Sequence, residues 1–190
     1  MTRAIYRGPW RVDLNVRDGV VAPIAGSDLA RAVEAALDAG GARSPASIGL
    51  ILSGDAELAT LNERHLGVAG PTDVLSFPLL PPAAFPPHPG TTGRGAVVAD
   101  DFALPPGRRT HLGDIVISVE RATAQAETGR GGQTGDLRWS PADELRLLAT
   151  HGTLHVCGWD HADPVEEAAM RGLEGRLLGR AADEPLRARR

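Results

Sequence analysis

The feature that most constrains this chain is the run His151-Gly152-Thr153-Leu154-His155-Val156-Cys157-Gly158-Trp159-Asp160-His161, which carries three of its six histidines. On a helix, residues four apart share a face with Cβ atoms about 5–6 Å apart, so His151 and His155 converge on one point. Gly158 follows three residues after His155. A left-handed C-cap there ends the helix and turns the chain back, bringing His161 round as a third donor. Three neutral imidazoles suit zinc and leave one coordination position open, as in catalytic rather than closed structural sites. The expectation is one Zn2+ per chain on His151, His155 and His161. Imidazole also suits nickel, copper and iron, so the preference for zinc is chemical and not exclusive.

The same spacing, H-x-x-x-H-x-x-G-x-x-H, is that of the metzincin metalloproteases with one change. Gly152 stands where those enzymes place the glutamate that serves as general base. A peptidase of that mechanism needs a replacement carboxylate, so the pattern points to a metal-dependent hydrolase and away from ordinary proteolysis. Cys157 is the single cysteine. An internal disulfide and the Cys-rich zinc modules are therefore excluded. Two positions after His155, Cys157 points away from the histidine face and is expected in the core.

Around this motif the sequence alternates strands and helices. Arg11 to Val16 alternates polar and apolar as a half-buried strand does, and Ser27-Asp28 opens a helix with Leu29, Val33 and Leu37 on one face, ended by Gly40-Gly41. Ile48 to Leu52 reads as a buried strand, and Asp55 as the cap of a second helix carrying Leu58, Leu61 and His65. His65 is expected to pack with that stripe. Thr72 to Phe77 and Leu112 to Val119 are further strands, followed by a helix from about Val119 to Glu127 and a flexible break at Gly129 to Gly135. Ser140, Pro141 and Asp143 form a capping-box start for the metal helix, with Leu145, Leu148 and Ala149 as its core stripe. Asp163-Pro164 restarts a last helix whose apolar face is Ala169, Met170, Leu173 and Leu177.

At 190 residues the chain fits one domain, 1–190. Most of the excess of its 23 Gly and 15 Pro falls in a few connecting stretches, among them a Pro- and Gly-rich insertion at about 79–110, which is not expected to pack; His88 within it is expected to be exposed. No run of about 18 apolar residues occurs and the N-terminus lacks an apolar signal region, so the expectation is a cytoplasmic protein without a membrane partner.

Joined to what precedes it, the histidine run resembles the YbeY family of bacterial endoribonucleases, whose characteristic segment is H-G-x-L-H-x-x-G-Y-D-H. Trp159 takes the place of the tyrosine. Leu61-Asn62, Pro71-Thr72-Asp73-Val74-Leu75-Ser76-Phe77-Pro78, Leu112-Gly113-Asp114-Ile115-Val116-Ile117-Ser118 and Ala124-Gln125-Ala126-Glu127 agree as well, in order. The resemblance implies an α/β (α+β) fold, a single compact domain with a small mixed sheet packed by helices and a zincin-like metal helix beside a strand edge. It also implies a metal-dependent endoribonuclease specific for single-stranded RNA, acting in maturation of the 16S rRNA 3′ end and in ribosome quality control. The implied partners are rRNA, the small ribosomal subunit and its assembly factors. A ribosome-assembly binding module with a structural metal is the alternative. A peptidase with an unusual base is a third reading, and it requires a carboxylate within reach of the metal water.

Where the family often has an arginine implicated in RNA cleavage, this chain has Leu66, preceded by His65. The net charge of −4 does not favour binding nucleic acid through bulk electrostatics, so attraction must be local, with Arg108-Arg109 and Arg187 to Arg190 as candidate patches. No catalytic residue is fixed by the sequence; Asp160, Arg64 and Asp114 are the candidates it offers. Asp160 either holds a histidine ring or caps the turn. Asp114 and Asp73 are expected to bind neighbouring turns, His111 to be solvated, and Thr72 and Ser76 to pack.

Overall fold

Apolar alternation along Trp10–Val16 and the continuous apolar run of Ala46–Ser53 build the middle of a five-stranded sheet. The computed structural model describes residues 2–91, 108–128 and 139–179. The strands are β1 (Thr2–Arg7), β2 (Trp10–Val16), β3 (Ala46–Ser53), β4 (Val74–Pro78) and β5 (Thr110–Ser118), in the spatial order β1-β2-β3-β5-β4. β3 pairs parallel with β2 and β5, while β1 and β4 close the two edges antiparallel, giving the expected mixed sheet. Parallel neighbours need a crossover. Helix α1 (Gly26–Ala39) joins β2 to β3, and α2 (Asp55–Leu66) followed by β4 lies between β3 and β5. Helices α3 (Val119–Glu127), α4 (Pro141–Val156) and α5 (Pro164–Leu177) complete an α+β domain.

Side chains of a strand alternate between faces, so each strand feeds two cores. Ile48, Leu50, Leu52, Ile115 and Ile117 meet Leu29, Val33 and Leu37 of α1 and Leu145 and Leu148 of α4 in the larger one. On the opposite face Ile51, Leu75 and Val116 pack on Leu58 of α2. The capping box of α4 forms as expected: Ser140 Oγ accepts from the Asp143 N–H at 3.2 Å and the Asp143 carboxylate accepts from the Ser140 N–H at 3.1 Å. Where α4 crosses β4 and β5, Gly152 allows an approach no other residue permits. A Cβ there would lie 2.7 Å from Ile115 Cγ2 and 3.1 Å from Ser76 Oγ. Ser76 instead donates its hydroxyl to the Gly152 carbonyl at 3.1 Å.

The structure departs from the sequence expectations at several places. β1 was not anticipated, because its residues are mostly exposed and show no apolar alternation; pairing with β2 makes it a strand. Asp55 does not cap α2. Gly54 occupies the N-cap, and the Asp55 carboxylate accepts the Ser118 hydroxyl at 2.6 Å. The insertion packs over its described first part: a short 3-10 turn, Pro82–Ala84, leads to Phe85, which is only 7% exposed within the main core. The break at Gly129 to Gly135 and the tail Arg187 to Arg190 lie outside the described residues.

Candidate metal centre

The three histidines meet where α4 ends. His151 and His155, one turn apart on α4, bring their Nε2 atoms to 3.0 Å. Gly158 then takes φ +83°, a left-handed conformation that disfavours a side chain, and a Cβ there would press on Pro82 Cα at 2.9 Å. The chain turns back and returns His161, so that one donor nitrogen from each of His151, His155 and His161 lies within 4.8 Å of the others. Two imidazole nitrogens bound tetrahedrally at about 2.0–2.1 Å from one ion stand about 3.3 Å apart, close to the spacing of the first pair. These three residues can hold a metal ion.

The surroundings direct the donors inward. His151 Nδ1 lies 2.6 Å from the carboxylate of Glu174 on α5, and His155 Nδ1 lies 2.8 Å from the Trp159 carbonyl. With each Nδ1 paired to an acceptor, each Nε2 is left as the lone-pair nitrogen that a metal requires. Burial pushes the His155 pKa down to about 3, and positive charge on His151 or His161 would push the same way. The Trp159 carbonyl and Asp160 oppose the shift without reversing it. His155 is thus a neutral, ligation-ready ring at neutral pH. Burial also holds the Cys157 thiol up at about 12, so the cysteine is a core residue, as expected, and no competing donor.

The centre opens into a cleft of ≈ 790 Å³ between the free edge of β4 and helix α5. That volume admits a nucleotide-sized group. Asp160 lines the cleft, where its carboxylate accepts from the His161 N–H at 2.8 Å; it caps the turn. Asp114 lies away from the cleft, opposite Gly49, with Oδ1 3.2 Å from His111 Nε2. Arg64 is exposed and does not line the cleft, whereas His65 and Leu66 do. His65 is not packed in the α2 stripe: it is exposed and meets Phe77 edge-on at 5.1 Å between ring centroids. Leu66 is 63% exposed. Asp73 accepts from the Val74 N–H at the start of β4 and from Gln125 Nε2 of α3, a structural role that ties strand to helix. His111 is tied to Ser47 at 3.1 Å, and Arg109 binds the Pro9 carbonyl far from the cleft.

Glu174, Glu166 and Arg171 escaped the sequence reading, and His88 was expected elsewhere. Glu174 and Glu166 are each 4% exposed and lie on the buried stripe of α5 with Met170 and Leu173. Two carboxylates eight residues apart on an apolar face were the available signal. His88 is not exposed: its ring stacks on Trp159 at 4.0 Å and its Nε2 lies 2.6 Å from Glu166 Oε1. Arg171 is the one basic side chain lining the cleft among the described residues, paired with Glu167.

A family model described as Endoribonuclease YbeY matches residues 22–182. A protein named Endoribonuclease YbeY from Roseiflexus sp. (strain RS-1) is 35% identical over 170 residues, covering 88% of this chain and 90% of its own length. Proteins of the same name from Salinispora tropica and Symbiobacterium thermophilum are 40% and 39% identical, over 75% and 79% of this chain and 79% and 82% of theirs. The solution structure of TM1509 from Thermotoga maritima covers 93% of this chain and 99% of its own, at 16% identity and a TM-score of 0.45. The match to the family model and the identities to its named members, spread over most of the sequence, establish that this chain belongs to the YbeY endoribonuclease family.

Proposed function

We propose that the chain is a zinc-dependent endoribonuclease cleaving single-stranded RNA, with His151, His155 and His161 as the ligands of one Zn2+. The observation that carries this reading is the convergence of three imidazole donors within 4.8 Å at an open cleft, two of them with Nδ1 already paired to an acceptor. The relatives' name, Endoribonuclease YbeY, supports RNA as the substrate. A zinc ion held by His151, His155 and His161 would supply Lewis acidity for a phosphoryl oxygen and would lower the pKa of a water towards about 7.

The chain's own residues do the rest. Glu174 and the Trp159 carbonyl hold two rings in orientation, and Arg171 on the cleft wall offers a guanidinium to a phosphate. His65, edge-on to Phe77 at the cleft rim, offers a ring face to an unstacked base. Gly152 bears on the peptidase reading: a side chain there collides with Ile115, so the metzincin base has no room at that position.

The further proposal is action on rRNA of the small ribosomal subunit, at the 3′ end of 16S rRNA, with assembly factors as partners and in ribosome quality control. It takes place in the cytoplasm; no described helix is long and apolar enough to cross a membrane. Exposed Leu66 at the cleft, where the family often has arginine, favours a second reading, a binding module with a structural metal. Cleavage of a labelled single-stranded RNA, with elemental analysis of the same preparation, separates the two. Chelator-sensitive cleavage with about one zinc per chain supports the enzyme. Bound zinc without cleavage leaves the binding module, and absence of bound metal removes both.

A further inference from the structure

His161, the third donor, is presented by a short loop outside the helix. That loop is held by a segment remote in sequence. Pro82 bears on Gly158, Phe85 enters the main core, and His88 reaches the loop itself. The His88 ring lies flat on Trp159, 4.0 Å between centroids and 10° between planes. Its Nε2 meets Glu166 Oε1 at 2.6 Å, and that same oxygen accepts the Asp160 N–H at 3.0 Å. Both side chains are nearly closed to solvent, at 6% and 5%. Trp159 is thus gripped on its ring by His88 while its carbonyl, 2.8 Å from His155 Nδ1, orients the second donor. Asp160, its neighbour, is fixed through Glu166 next to the third.

We infer that His88 is a positioning residue for the metal centre, clamping Trp159 and Asp160 so that His155 and His161 keep a ligating geometry. The inference rests on the proposed metal site. A clamp of this kind acts before any metal arrives: it lowers the freedom the loop would lose on binding and sets the direction of two donors. Outer partners of metal-binding histidines typically contribute about 10–100-fold in affinity.

The test is zinc affinity of the metal-free protein, by competition with a chromophoric chelator well below the melting temperature, for the natural chain, His88→Ala, His88→Gln, His88→Phe and His161→Ala. Circular dichroism reports folding of each. The expected result is a roughly 10–100-fold weaker affinity for His88→Ala. His88→Gln, which keeps a donor to Glu166, and His88→Phe, which keeps the ring on Trp159, fall between. A residue that only stabilised the fold would lower the melting temperature in all three and leave the affinity of the folded protein unchanged. Affinities within twofold of the natural chain for the folded His88 variants, with zinc lost in His161→Ala, overturn the clamp and leave the metal site standing. Unchanged affinity in His161→Ala as well overturns the site and the clamp together. If His88→Ala does not fold, the Gln and Phe variants decide by the same criterion.

Discussion

His155 and Glu174 illustrate how single residues set the centre. Removing the imidazole of His155 takes away one of the two half-buried donors, and His155→Ala is expected to lose most of the bound zinc, read by elemental analysis; full retention would place the metal elsewhere. Glu174→Gln keeps the shape of the side chain but removes the charge facing His151 Nδ1 at 2.6 Å. A fall of about 10–100-fold in zinc affinity is expected from it, with the fold preserved. Leu66 poses the opposite question, since it exposes an alkyl chain where a cation would face phosphate. Leu66→Arg is expected to raise the single-turnover rate on one RNA, because one charge-stabilising donor is typically worth about 10²–10³ in rate. Equal rates in the two forms, chelator-sensitive in each, would mean that Leu66 marks no catalytic deficit. His151, His155 and His161 were legible from spacing alone, since a helix and a glycine turn fix their relation locally. Glu174 was not, because its partner lies 23 residues away across a helix–helix contact.

At the scale of elements, the metal helix is secured at its start by chemistry written in four consecutive residues. Ser140→Ala removes one half of the capping box and is expected to cost about 1 kcal/mol in unfolding free energy, measurable by urea titration. The segment after β4 behaves differently from its composition. Its proline and glycine content suggested a surface loop, yet Phe85 is inserted into the main core and His88 into the contact between Trp159 and α5. Phe85→Ala is therefore expected to destabilise by about 3 kcal/mol or more, the range for emptying a buried aromatic site. A change below about 1 kcal/mol would return the segment to the surface. Composition misled here because low hydrophobicity averaged over a long stretch conceals one aromatic anchor whose pocket is built by other elements.

For the molecule as a whole, the centre makes folding pH-dependent. His155 stays neutral in the folded chain down to about 3, whereas in the unfolded chain an ordinary histidine gains its proton at about 6.5. The unfolded state therefore binds more protons between those values, and stability is full above pH 6.5 and declines as pH falls towards 3. Metal-free protein is expected to lose about 2 kcal/mol between pH 7 and pH 5, and His155→Gln to flatten that slope in urea titrations. Glu57, held below the usual carboxylate range by its hydrogen bond to Arg17, contributes above its ordinary pKa of 4.5 and is lost only as pH falls below it, outside the pH 7 to 5 interval. The sequence by itself determined the order of strands and helices from β2 onward, the capping box, the left-handed turn at Gly158 and the three candidate donors, because each depends on contacts within a few residues. Only the tertiary structure decided that Gly152 excludes a carboxylate against Ile115, that β1 is a strand, and that Glu174, Glu166 and His88 surround the donors. Apart from β1, which pairs with the strand that directly follows it, those facts depend on approach between residues 23 to 78 positions apart, which no local period encodes.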